Sequence, residues 1–146
     1  MDIIAFLSSD DEDFKGRRLS DIWSMSDQEI ETTHDFIQIV FPLDEPSKSS
    51  FHGFYLGSED IEAAKSNAAV REALIKSSEW FLGFLSRSLV WRSGYNHNQL
   101  RITRVIKCLR LLTTDKQAND WRSKVFQLVE DRSSLSQTCL RYWEEA

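Results

Sequence analysis

Apolar residues recur along most of this chain at helical spacing, and polar capping residues mark where the runs begin. Ser26-Asp27-Gln28-Glu29 reads as a capping box, the serine accepting from a free backbone N–H while the glutamate reaches back. It opens a helix on which Ile30, His34, Ile37 and Phe41 keep one face until Pro42 stops it. Residues 59–65 predict a short helix. A longer one over about 67–86 follows, with Val70, Leu74, Phe81 and Leu85 on its buried face. Asn96, with Gln99 three residues later, marks another start and a second candidate box. Beyond it, Ile102, Val105, Ile106, Leu109 and Leu112 share a face about 120° wide. Arg104 and Lys107 fall opposite that face, with Arg101 and Arg110 at its shoulders. Thr114 caps a further helix that turns Ala118, Trp121, Val125, Leu128 and Val129 inward. A last helix from about Ser134 buries Leu135, Cys139, Tyr142 and Trp143 in part. Both prolines, Pro42 and Pro46, lie in the stretch 41–57 with Ser47, Ser49, Ser50 and Gly53, which reads as one long loop. No alternation is long enough to build a sheet. The pattern predicts an all-α protein, a single compact bundle of about six to eight helices forming one domain over residues 1–146.

Composition agrees with that size of core. The chain has 146 residues, 41% hydrophobic and 28% charged, which excludes a disordered or fibrous protein. Aromatics at 12%, among them five Trp and nine Phe, supply large anchors. Cys108 and Cys139 show no CxxC spacing, so neither a zinc ribbon nor a disulfide framework is indicated. The apolar stretch from Ile3 to Leu7 follows acidic Asp2 and lacks the basic start and length of a signal peptide. The apolar cluster from Trp80 to Leu85 is far too short to span a bilayer. A reducing, aqueous compartment is therefore expected: the cytoplasm, or the nucleus.

Charge changes the picture more than its sum of −5 suggests. Residues 1–62 hold 15 acids against 4 bases, and residues 63–146 hold 8 against 14. Between Glu79 and Asp115 there is no acid, while Arg87, Arg92, Arg101, Arg104, Lys107 and Arg110 all fall inside. Such asymmetry marks an anionic partner, or two halves that neutralise each other. Arg and Lys at three-residue steps over 101–110 can meet phosphates, so nucleic-acid binding through that helix face is one alternative.

Catalytic and metal constellations have little foothold. His34 and Asp35 are adjacent, and neighbours on a helix point about 100° apart. His34 therefore reads as a structural histidine. His52 and His97 are scattered, and no HExxH or GxSxG occurs. The run Asp10-Asp11-Glu12-Asp13 with Gly16 suggests a calcium loop, but Lys15 and Ile22 occupy its fifth and twelfth positions and offer no carboxylate. A solvated acidic loop is the reading. Five glycines and no phosphate-cradling loop argue against a nucleotide enzyme. Trp80, Phe81 and Phe84 read as core, or as a peptide groove if exposed.

Two stretches carry a family resemblance. The first is Arg18-Leu19-Ser20-Asp21-Ile22-Trp23, then Thr33-His34-Asp35-Phe36-Ile37-Gln38 and Phe41-Pro42-Leu43. The second is His97-Asn98-Gln99-Leu100-Arg101-Ile102-Thr103-Arg104-Val105-Ile106-Lys107. They resemble the HxxIQWLFPL-like and HNxLRITRxxKxL-like segments of the opioid growth factor receptor family, and Trp80-Phe81-Leu82-Gly83-Phe84 fits the aromatic stretch between them. The likeness runs over about residues 16–145. Ile39 stands where the family usually has Trp. The sequence stops at Ala146 without the long C-terminal repeats of the animal receptors and looks like the short bacterial relatives. The resemblance implies an enkephalin-receptor-like protein of the nucleus and nuclear envelope when eukaryotic, with no seven-helix membrane body.

Together these readings predict a non-enzymatic module that binds a peptide or protein partner and needs no cofactor or metal. The expected contact surface joins His34, Gln38 and Pro42 to His97, Asn98, Arg101, Arg104 and Lys107. Arginines and amides would orient a peptide's carboxylate or backbone there while aromatics bury its apolar side chains. The hallmark residues have a structural reading too, with His34 and Gln38 as buried polar links and Phe41-Pro42 as a helix stop. Besides nucleic-acid binding, the remaining alternative is an enzyme of unrecognised mechanism using His34, Asp35 or His97.

Overall fold

Side-chain caps decide where most elements begin. A computed structural model describes residues 1–46 and 54–146, and the middle of the expected long loop, including His52, lies outside the described residues. Among the described residues the helices are α1 (Ile3–Ser9), α2 (Leu19–Trp23), α3 (Asp27–Thr32), α4 (Ile37–Val40), α5 (Ser58–Lys65), α6 (Ala68–Arg87), α7 (His97–Leu112), α8 (Asp115–Leu128) and α9 (Gln137–Glu145). Short 3₁₀ turns occupy Val90–Arg92 and Arg132–Ser134. No strand occurs among the described residues, so the all-α expectation holds. Asp2, Ser26, Asn96, Thr114 and Ser136 each accept a backbone N–H of the helix they precede, and Asn67 does the same for α6. The Ser26–Glu29 box is complete. The Asn96 box is not: Gln99 turns its amide elsewhere.

The described residues form two compact units, Met1–Ser77 and Ser78–Ala146, with the boundary inside α6. In the first unit α1 packs on α5, and Ile3, Phe6, Leu19, Ile22, Val70 and Leu74 are buried. The expected continuous helix over 26–41 is instead two, α3 and α4. Thr33 leaves α3 in an extended conformation, and Arg17 binds both the Asp35 carboxylate (2.8 Å) and the Asp35 carbonyl (3.3 Å). That register moves His34 off the apolar face and into solvent, so it is not the buried histidine expected. Ile37 through Leu43 are all buried, Ile39 completely. Leu56 N–H donates to the Leu43 carbonyl at 2.8 Å, holding together the chain on either side of the loop.

The acidic run is more than a solvated loop. Asp11 and Glu12 are exposed, but Asp10 ends α1 at φ 52° and accepts from the backbone and hydroxyl of Ser20. Asp13 is buried and accepts from Lys15 N, Arg17 N and Arg17 Nε at 2.7–2.9 Å. Arg17 and Lys15 both pair with Asp35. Burial works against ionising Asp35, and the hydrogen bonds and charges of Lys15 and Arg17 outweigh it, so its pKa falls below the ordinary 3.8.

In the second unit α7 packs against α8, α9 and the 90–92 turn. Trp91 and Trp143 are fully buried with ring centroids 6.2 Å apart, and Phe126 meets Trp143 edge-on at 5.6 Å. The last carbonyls of α6, at Leu85 and Ser86, have no partner within the helix. Trp91 Nε1 and Arg92 Nη2 supply them from the next turn. Gly94, at φ 61°, then reverses the chain and donates to the Ser134 carbonyl.

Replacing Asp13 with Ala removes three acceptor contacts and leaves Arg17 half-paired. Urea unfolding is expected to show a loss of about 2–4 kcal/mol, and a loss under 1 would exclude a structural role for the cluster. Asp35 contributes stability that is full above pH 3.8, where its unfolded form is also ionised, and that disappears as pH falls through its depressed folded value. Asp35→Asn should therefore be less stable than the parent at pH 7, with the gap closing in acid below about pH 4.

Candidate functional site: a groove and a helix face

The first unit carries an open groove of about 340 Å³ between α1, α2 and α6. Ala69, Glu72, Ala73 and Lys76 lie on one arc of α6 about 100° wide. The two alanines leave space that a larger residue would fill. Leu7 and Leu19 supply an apolar wall, and Ser8, Asp10 and Ser20 a polar one. Trp23 forms one side, half-buried, its indole N–H held by Ser77 Oγ at 2.9 Å. Lys76 Nζ stands 4.4 Å from the ring centroid, a cation–π contact that fixes the ammonium at the groove edge. Asp10 is held in place by Ser20. The groove thus presents one aromatic face, an apolar floor, two carboxylates and one ammonium. Its size is at the lower end of ligand clefts and suits one or two side chains of a larger ligand.

The residues expected at a partner surface fare differently from one another. In the first unit His34 is exposed, whereas Gln38 and Pro42 are buried, and Gln38 Nε2 donates back to the His34 carbonyl. Gln38 is the buried polar link expected and Pro42 the helix stop. In the second unit Asn98 is fully buried and Arg101 only 5% exposed, with Arg101 Nη1 donating to Asn98 Oδ1 at 3.2 Å. His97 and Arg104 are half-buried and Lys107 is exposed. Arg110 is committed to the Ala146 carbonyl, Asp115 and Asn119. The basic strip expected along 101–110 therefore offers solvent chiefly Arg104 and Lys107. Phe81 and Phe84 are buried, and Trp80 is half-buried beside Phe81. Burial pushes the Cys108 thiol pKa up and that of Cys139 to about 11. Asp35 already faces two cations, and among the described residues no group of three or more His, Cys, Asp or Glu could hold a metal ion.

Of the groove residues, Glu72 and Lys76 belong to no motif, while Asp10 lies in the acidic run and Trp23 in the 18–23 stretch, neither of which marks a groove by itself. One signal for them exists, the Ala69–Ala73 pair four residues apart on a helix otherwise rich in large side chains.

These features define an α-helical module with an open groove of mixed chemistry. Among the described residues, no helix is long and apolar enough to cross a membrane. Residues 7–95 match the family model described as the opioid growth factor receptor conserved region, and the chain belongs to that family. The opioid growth factor receptor of Mus musculus is 33% identical over 105 residues, covering 60% of this chain and 16% of the relative. The receptors of Rattus norvegicus and Homo sapiens are 33% and 32% identical over similar spans. The chain thus spans about a sixth of the length of the curated relatives it matches. No solved structure matches it. The family match includes every lining residue of the groove and the Ile37–Leu43 segment, and it ends at residue 95, before the 97–107 motif begins.

Asn98→Ala tests whether that motif is structural. Losing the acceptor for a buried guanidinium should cost about 2 kcal/mol in urea unfolding. A change within about 0.5 kcal/mol, the range for a surface position, would show that Asn98 is not part of the packing.

Proposed function

We propose that this chain is a non-enzymatic binding module that takes a peptide or protein ligand through the groove beside Trp23. The observation that carries this reading is the groove's chemistry. The Leu7–Leu19 wall and the part of the Trp23 ring not covered by Lys76 receive an apolar or aromatic side chain, while Asp10 and Glu72 meet an ammonium and Lys76 meets a carboxylate or carbonyl. A peptide offers all three groups within a few ångströms of backbone. Support for a ligand-binding rather than catalytic role comes from the relatives, which are named receptors for an opioid growth factor. Within each unit taken alone, a partner-contact role is proposed for the accessible members of the expected set: His34 in the first, and His97, Arg104 and Lys107 in the second. Buried Gln38, Asn98 and Arg101 serve it by positioning their neighbours.

Calorimetric titration with a Met-enkephalin-type pentapeptide, against a scrambled peptide, tests the reading. Saturable heat with the first alone is expected, weakened at least tenfold by Trp23→Ala and several-fold by Lys76→Glu. Equal response to both peptides, or binding indifferent to Trp23→Ala in a variant that melts as the parent does, would refute the groove as the site.

A further inference from the structure

Four large apolar side chains stand in solvent within twelve residues of the second unit: Leu89 at 72% exposure, Val90 at 60%, Tyr95 at 82% and Leu100 at 57%. Single exposed apolar residues are ordinary, and four in so short a stretch of chain mark it as a candidate surface. These four sit on a corner that is held rigidly. Trp91 plugs it from inside, fully buried and bonded to the Leu85 carbonyl. The Gln99 amide donates at 3.0 Å to the carbonyls of both Trp91 and Gly94, joining the first turn of α7 to the 90–92 turn. Gly94 is tied in turn to Ser134. The exposed side chains therefore belong to a preorganised surface, and ordering it on binding costs little entropy.

Charge says what covers it. The corner lies in the middle of the stretch from 80 to 114, which holds no acid. Arg87 and Arg92 flank it, and the Arg92 guanidinium lies against the Trp91 ring with Nη2 on the Leu85 and Ser86 carbonyls. The adjoining 130–134 segment adds two carboxylates, Glu130 and Asp131, and one guanidinium, Arg132, so with Arg87 and Arg92 the balance stays positive. We infer that the 89–100 corner is a docking surface for an acidic, amphipathic segment of a partner protein, whose apolar side chains cover Leu89, Tyr95 and Leu100 while its carboxylates face the flanking arginines. An anionic bilayer has the same sign of charge, but the whole chain is at −5 and the corner is four side chains on a turn rather than a long amphipathic helix. The inference does not rest on the groove beside Trp23.

A displayed library of random 16-residue peptides, selected against the full chain, tests this. The recovered sequences should be rich in Asp or Glu interleaved with Leu, Ile or Phe. A recovered peptide should bind at least tenfold more weakly to Leu89→Ser/Tyr95→Ser/Leu100→Ser, a solvent-side variant expected to melt as the parent does. Its Glu→Gln version should bind the parent at least fivefold more weakly, and Trp23→Ala should leave its affinity unchanged. Recovered sequences that are neutral or basic, binding indifferent to the triple variant, or no enrichment at all would overturn the inference. So would self-association in sedimentation, or binding to phosphatidylserine vesicles, that the triple variant abolishes: the corner would then belong to a second copy or to a membrane.

Discussion

An indole ring can be buried only if its N–H keeps a hydrogen-bond acceptor, since leaving it unpaired costs about 1–3 kcal/mol. That constraint runs through the whole molecule. In the first unit Trp23 reaches Ser77 Oγ. In the second, Trp121 donates to the Ser78 carbonyl at 2.8 Å, Trp91 to the Leu85 carbonyl and Trp143 to the Gln99 carbonyl. Every one of these acceptors lies on α6 or α7. The two longest helices are thus docking rails for aromatic residues that arrive from shorter elements, and the position of each tryptophan along a rail is fixed by a polar atom rather than by hydrophobic attraction alone. Gln99 is the busiest of these points. Its carbonyl takes Trp143 and the Thr103 hydroxyl while its amide holds the 91–94 turn.

How far the fold could be read from the chain depended on where the deciding atoms sat. Caps are local, so the starts marked by Ser26, Asn96 and Thr114 emerged where the sequence put them. The Val70–Leu85 and Ile102–Leu112 faces followed from spacing alone and are buried as expected. Short α1 and α2 escaped notice because two turns or fewer carry too few periodic positions to show a pattern. The break between α3 and α4 was hidden for a different reason. It is set by Arg17, eighteen residues before Asp35 in the chain, and apolar spacing is blind to such a pairing. The groove needed three elements to converge, and its polar walls are ordinary surface residues until they do.

The hallmark motifs look different in three dimensions. The Ile37–Leu43 segment is buried throughout, so packing accounts for its apolar character before any ligand is invoked. Ile39 is completely buried, so the branched side chain at this position serves the core. In the 97–107 motif the amide and guanidinium of Asn98 and Arg101 are inward-facing, and only part of the positive charge read from the helical wheel meets water. A polar residue on the shoulder of an amphipathic helix is a boundary case, and neighbouring elements decide its side. What the motifs leave unmarked is geometry: Lys76 over the Trp23 ring, and Gln99 bracing the turn that carries exposed Leu89, Val90 and Tyr95.

The two cysteines carry a consequence beyond packing. Cys108 is sealed in the second unit's interior and Cys139 is largely covered, and burial disfavours the thiolate at both. Since the thiolate is the reacting species in disulfide exchange and thiol oxidation, the folded chain holds two thiols that a change of redox poise scarcely addresses. Thiol chemistry at Cys108 and Cys139 is thus restricted by the fold, so oxidation of these two positions would record a past excursion from the native state rather than the compartment the protein occupies.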